Sequence, residues 1–151
     1  MATELKKRRL GRTNLMVTEV SLGGYMFTGE FNIPRSEADA IMDCAFNAGV
    51  NYIDTAQMYG FGEGEELAGR ALRRHANKQI HISTKVGYMD RTNVRNLGDA
   101  AHSDEAALRR TILNSLWLLQ LDYVDIMYVH EPNMEGWWGD GLHTGKAPVL
   151  H

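Results

Sequence analysis

A single cysteine, Cys44, and only three prolines stand among the 151 residues. One thiol closes no internal disulfide framework and fits a reducing compartment, so a cytoplasmic location is expected. No apolar run approaches the ~18 residues that a membrane span needs. The charged opening MATELKKRRL also lacks the apolar segment of a secretory signal. An excess of one charge is missing too. The chain has 16 Lys+Arg against 19 Asp+Glu, net −3, with both signs interspersed. Such a surface attracts neither nucleic acid nor an anionic membrane in general. The run Lys6-Lys7-Arg8-Arg9 reads as a solvated terminal patch, because a nucleic-acid footprint needs a face and not a run. Metal-ligand spacing is absent as well. His75, His81, His102, His130, His143 and His151 are scattered, with no H-x-x-x-H and no cysteine pair, so no metal is expected. The GFGEGEE stretch has the wrong glycine spacing for a dinucleotide fingerprint, and its glutamates repel phosphate.

What is present is an alternation of strand-like and helix-like segments. Lys6 to Leu10, with a turn at Gly11-Arg12, predicts a small hairpin. Val17 to Leu22, ending at Gly23-Gly24, predicts the first parallel strand. Ser36 followed by Asp39 resembles a capping box. Ile41, Cys44, Ala45 and Ala48 recur at helical spacing behind it, with Gly49 as the C-terminal cap. On this pattern Cys44 is a small core residue. Val50 to Asp54 predicts the second strand. Glu63, Glu65 and Glu66 open a second helix that Arg70, Arg73 and Arg74 close, the charge order that complements a helix dipole. Ile80 to Val86 predicts the third strand. Ser103 is placed as the cap of a third helix, whose buried stripe is Leu108, Ile112, Ser115 or Leu116, and Leu119. Tyr123 to Val129 predicts the fourth strand, and Asn133 to Pro148 a long loop after it. Repeated strand–helix–strand units imply parallel strands joined by right-handed crossovers.

Four polar residues fall at or just past the ends of consecutive strands: Asp54, Tyr59 five positions on, Lys85 and His130. In a parallel α/β barrel these ends share one rim, where such folds build their sites. Taken singly, Asp54 reads equally as a helix cap or turn former, Lys85 as a solvated lysine or a Schiff-base lysine and His130 as a core histidine. Together they suit proton transfer coupled to hydride transfer. A phenol titrating near pH ~10 is a poor acid at neutrality, and a lysine ammonium within a few ångströms favours its ionised form. Asp54 would hold Lys85 charged and aimed, and His130 would orient a carbonyl. The hydride must come from a reduced nicotinamide, because no side chain supplies one.

At this point a resemblance becomes specific. GVNYIDTAQMYGFGEGEELAGRAL, from Gly49 to Leu72, resembles the first signature of the aldo-keto reductase family. ISTKVG resembles the segment that carries the family's lysine, and DYVDIMYVHEP the fourth-strand segment ending in its histidine. RRLGRTNLMVTEVSLGG, from Arg8 to Gly24, is similar to its N-terminal hairpin and first strand. The resemblance runs from about residue 8 to 132. It implies a (β/α)8 TIM barrel, here about the first four strands and three helices plus the hairpin. It also implies an NADPH (or NADH) cofactor and catalytic roles for Asp54, Tyr59, Lys85 and His130. Gly24 and Tyr25 would then lie near the nicotinamide, with Asp54 also at the cofactor. Three positions depart from the family pattern: Gly64 for a common Ser, Leu118 for a frequent Arg, and Gln120 for a frequent Gly.

The substrate class so implied is a small aldehyde or ketone. Met26, with Met58 and Met134, lies near rim loops and either shapes a pocket or fills space. Trp137 and Trp138 either wall the substrate pocket or pack their loop down. On this reading residues 1–151 are the N-terminal portion of one barrel, truncated, with no second domain. Four strands leave open edges, from which self-association is expected. The other reading is an inactive fragment or a non-catalytic binding subunit of the same family, of the kind that associates with channels.

Overall fold

The computed structural model describes residues 4–87, 102 and 104–130. An antiparallel hairpin, β1 (Lys7–Arg9) with β2 (Met16–Thr18), precedes a parallel sheet. The sheet consists of β3 (Leu22–Gly23), β4 (Tyr52–Asp54), β5 (His81–Val86) and β6 (Ile126–Val129), paired in that order. Helices α1 (Arg35–Asn47), α2 (Glu63–Arg74) and α3 (Glu105–Leu119) make the crossovers. The expected alternation of parallel strands and helices is therefore present across the described residues.

Strand alternation divides this sheet into two faces. Ile53 and Ile82 are paired in register and point toward the helices, where they join Met42, Phe46, Leu67, Ala68, Ala71 and Leu119 in one buried cluster. The other face takes Tyr52 and Asp54 from β4, and Ser83 and Lys85 from β5. Close approach of α2 and α3 depends on a glycine. A Cβ at Gly69 would sit 2.2 Å from the carbonyl oxygen of Leu119. Arg73 reaches across the same contact to donate to that carbonyl at 2.9 Å. Arg70 and Arg74 thus do more than complement their own helix dipole, for they pair with Asp39 and Asp43 of α1.

Several expectations need correction. The predicted first strand from Val17 to Leu22 is two elements, because the chain turns between them. Thr18 donates its hydroxyl to the Val20 carbonyl at 2.7 Å. The amide of Thr18 is held by the side chain of Asn51 at 2.7 Å, which fastens the hairpin to the amino end of β4. Helix α1 has Pro34 at its N-cap with no side-chain cap; its carbonyl accepts from Glu37 and Ala38. Ser36 is therefore already inside the first turn, and Asp39 serves the arginines of α2. The core face of α1 is Ala38, Met42 and Phe46, while Ile41 and Cys44 are exposed. Both stripes have helical period, and the one with the bulkier side chains faces the sheet.

Asp104, next to the expected cap, accepts from the amide of Ala106 at 2.8 Å. Ser103 lies outside the described residues. The buried line of α3 is Ala107, Thr111, Ser115 and Leu119, so Ser115 and Leu119 stand as expected. Leu108, Ile112 and Leu116 are turned aside and half-buried. Small residues occupy the line because α2 and β5 lie against it.

Gly49 ends α1 at φ +99°, as expected of a C-terminal glycine. Gln120 ends α3 at φ 53°, ψ 49°, with the amide of Leu121 bonded to the Leu116 carbonyl at 3.1 Å. This is a Schellman-type ending on a residue with a Cβ, in backbone space that costs a non-glycine residue ~1 kcal/mol. Gln120→Gly is accordingly expected to stabilise the fold by about 1 kcal/mol. Gly69→Ala should destabilise it by ~1–3 kcal/mol through overpacking. Urea midpoints check both, and an unchanged midpoint for Gly69→Ala would contradict the close helix contact.

Candidate active site at the carboxyl ends of the strands

Asp54 is the last residue of β4, Lys85 is the penultimate residue of β5, and His130 follows β6 directly. Parallel pairing sets Asp54 opposite Ser83 and Lys85 opposite Tyr128, so all of these lie on the inner face at the carboxyl end. Tyr59 comes from the short 3-10 turn Tyr59–Gly62 between β4 and α2. Three successive residues there are left-handed: Gly60 at φ 58°, Phe61 at 52° and Gly62 at 100°. An aromatic residue rarely adopts that conformation, and such outliers gather at functional sites. The turn swings Tyr59 back over the strand ends. A Cβ at Gly64 would lie 3.0 Å from Tyr59 Cβ and 3.0 Å from Thr55 Oγ1, so the first turn of α2 is pressed against Tyr59.

The ammonium of Lys85 joins the group. It donates to Asp54 Oδ2 at 2.6 Å, to the Thr55 carbonyl at 2.8 Å and to the Tyr59 hydroxyl at 3.0 Å. Those three acceptors use its three donors. Because Lys85 donates to the Tyr59 oxygen, the phenolic proton of Tyr59 can point elsewhere. The other oxygen of Asp54, Oδ1, accepts from Ser83 at 2.5 Å, and Ser83 accepts from Tyr52 at 2.8 Å.

The His130 ring stands edge-to-face with Tyr59, centroids 6.0 Å apart. Burial chiefly, and then the Lys85 cation, lowers its pKa to about 4. The imidazole is therefore neutral at physiological pH and offers an N–H without a charge. Its backbone is tied on both sides. The amide of His130 donates to the Val86 carbonyl at 2.8 Å. Its carbonyl pairs with His102 Nε2 at 2.7 Å. A cleft of about 430 Å³ opens here, lined by Tyr52, Asp54, Tyr59, Lys85 and His130 together with Tyr128 and Val129.

The structure thus brings Asp54, Tyr59, Lys85 and His130 to one place. Gly24 and Tyr25 are adjacent to them. The Gly24 amide donates to the Asp54 carbonyl at 2.7 Å. The Tyr25 ring lies 5.0 Å from that of Tyr59. Met26 is exposed on the turn after β3 and is not among the residues lining the cleft. Met134, Trp137 and Trp138 lie outside the described residues.

Sequence reading missed Tyr52, Ser83 and Tyr128. Each stands two positions before Asp54, Lys85 and His130 respectively, and strand alternation alone places it on the same face. Glu65 was read only for its charge. It is fully buried, accepts from Thr84 Oγ1 at 2.5 Å, and burial raises its pKa above the usual carboxylate value. No motif pointed to His102.

A model of the aldo/keto reductase family matches residues 19–136. The "Uncharacterized oxidoreductase YqkF" of Bacillus subtilis is 34% identical over 133 residues, covering 87% of this chain and 40% of that protein. A protein of Arabidopsis thaliana named "Probable voltage-gated potassium channel subunit beta" is 31% identical over 135 residues, 85% of this chain and 38% of that one. Among solved structures, the aldo-keto reductase from Klebsiella pneumoniae in complex with NADPH aligns with a TM-score of 0.65 at 30% identity. That alignment covers 83% of this chain and 39% of that one. The chain therefore spans about 40% of the length of the curated relatives it matches. Its four parallel strands and their helices correspond to part of a (β/α)8 barrel.

The lowered pKa of His130 has a signature in stability. Between its ordinary value of 6.5 and about 4, the unfolded chain takes up a proton that the folded chain refuses. This contribution to stability is complete above pH 6.5 and is lost as pH falls toward 4. Urea midpoints measured from pH 7 to pH 4 should fall less steeply for His130→Gln than for the unsubstituted protein. Identical slopes would contradict a buried neutral imidazole.

Proposed function

This chain belongs to the aldo-keto reductase family, and on that premise we propose that it carries the proton-transfer centre of an NADPH-dependent (or NADH-dependent) reductase of small aldehydes and ketones. The observation that carries the reading is the Lys85 ammonium set between the Asp54 carboxylate, at 2.6 Å, and the Tyr59 hydroxyl, at 3.0 Å. A reduced nicotinamide, when bound, supplies hydride to the carbonyl carbon. The described residues beside the cleft fit such a group, since Gly24, which has no side chain, and the flat Tyr25 ring lie against Asp54 and Tyr59, and the side chains there offer proton donors and a cation. Gly24, Tyr25 and Asp54 are proposed to border the nicotinamide, with the Tyr25 ring as a flat apolar face beside Tyr59.

In this reading Tyr59 is the general acid and gives its phenolic proton to the carbonyl oxygen as the alcohol forms. Lys85 stabilises the phenolate left behind, and a proton from solvent restores it. Asp54 keeps Lys85 charged and aimed. His130, neutral and held through its backbone, donates a hydrogen bond to the same carbonyl oxygen and orients it. A catalytic acid of this kind contributes roughly 10²–10⁴-fold to rate. Residues 1–151 are proposed to be the N-terminal portion of one barrel.

The match to a protein named for a channel subunit motivates a second reading, in which the cofactor is bound but no carbonyl is turned over. The two are separated by following NADPH absorbance with a panel of aldehydes and ketones, alongside NADPH fluorescence. Turnover that falls by about 10²-fold or more in Tyr59→Phe, with NADPH binding kept, is the expected result. Binding without turnover would favour the second reading. Absence of both would overturn the cofactor assignment.

A further inference from the structure

The hydrogen bonds around Asp54 do not end at the four residues just assigned. Asp54 sends one carboxylate oxygen to Lys85 and the other to Ser83, at 2.6 and 2.5 Å. Ser83 sits directly across the strand pair from Asp54 and is completely buried. Its hydroxyl has one proton. A carboxylate can only accept, so that proton goes to Asp54 Oδ1, and Ser83 must accept whatever it receives from the other side. The Tyr52 hydroxyl, 2.8 Å away, therefore donates to Ser83. The direction of every bond is forced from Tyr52 through Ser83 to Asp54, and from Lys85 to both Asp54 and Tyr59.

We propose that Ser83 and Tyr52 are positioning residues: they lock the Asp54 carboxylate in the orientation that holds the Lys85 ammonium against the Tyr59 oxygen. The catalytic consequence rests on the proposed reductase reading, but the locking itself is a property of the folded chain. Tyr52 suits its place as a constant donor. Burial above all, with Tyr128 and Asp54 beside it, keeps its phenol protonated well past the ordinary range. The plainer alternative is that Ser83 is simply small, leaving room on the inner face between Asp54 and Lys85. In that case its oxygen is dispensable. Among the described residues, Lys85, Tyr59, Tyr128 and His130 are the other titratable groups lining the cleft, and the substitutions below alter none of them.

The test compares Ser83→Ala, Tyr52→Phe and the double variant of the full chain, and needs no substrate. Each substitution removes one oxygen and keeps the carbon framework, and near-ultraviolet circular dichroism verifies the fold. The readout is hydrogen exchange of the Lys85 ammonium, seen as a nitrogen–proton cross-peak by NMR and assigned by its loss in Lys85→Met. Ser83→Ala should speed that exchange by about tenfold or broaden the peak away, the scale of losing a charge-assisted hydrogen bond. Tyr52→Phe should give a smaller acceleration, and the double variant should match Ser83→Ala, because the hydrogen bonds carry Tyr52 to the Asp54 carboxylate through Ser83. A rate unchanged in Ser83→Ala overturns the proposal, as does a double variant equal to the product of the two single effects. Where the unsubstituted protein turns over a carbonyl, Ser83→Ala should lower kcat and leave the KM for NADPH in place. Absence of turnover would count against the reductase reading and leave the exchange result standing.

Discussion

Lys85 can bring Asp54 and Tyr59 together only because a strand end supplies a short, rigid lever. Its ammonium has three protons and three acceptors at 2.6–3.0 Å, two of them belonging to consecutive residues, Asp54 and Thr55. A charge this enclosed is held only while all its partners stay in place. The register of β4 against β5 puts Asp54 opposite Ser83, one step short of Lys85 on the same face. A slip of one residue would turn Lys85 to the helix side and dissolve the group. The parallel pairing, the glycine turn that returns Tyr59 and the pressure of Gly64 on it all serve this one ammonium.

The remainder of the fold keeps those strands in register. Ile53 and Ile82 are the outward counterparts of Asp54 and Lys85, and they sink into a cluster closed by Met42, Phe46, Leu67 and Leu119. Gly69 lets α3 come close enough to cover β5. The buried carboxyl of Glu65 bonds the hydroxyl of Thr84, the residue just before Lys85, so α2 grips β5 from behind. The inner face of β5 is thus secured by hydrogen bonds, and its outer face by packing together with the Thr84–Glu65 hydrogen bond.

Much of this was legible in the sequence, for identifiable reasons. Strand ends are marked by a chemically active polar residue after a run rich in β-branched or aromatic residues, which exposed Asp54, Lys85 and His130, and the spacing IDTAQMY added Tyr59. What escaped depends on direction within an element. Ala38, Met42 and Phe46 repeat with the same period as Ile41, Cys44, Ala45 and Ala48, and only the neighbouring sheet decides which stripe is buried. The hairpin claimed Val17 and Thr18 because Asn51, distant in sequence, bonds that stretch. Tyr52, Ser83 and Tyr128 were within reach of the alternation rule, two places ahead of residues already chosen. His102 was not, because its bond to the His130 carbonyl follows from tertiary folding alone. Gln120 stood out as a departure from glycine, and the left-handed backbone there gives that departure its meaning.

The central claim is that Asp54, Lys85 and Tyr59 act as one unit and not as three separate contributors. A double-mutant cycle on the proposed NADPH-dependent carbonyl reduction tests this most directly, using Asp54→Asn, Tyr59→Phe and their combination. Groups that act as a unit are strongly non-additive. The account requires the combined variant to be about as impaired as the worse single one. A combined loss equal to the product of the two single losses would contradict it.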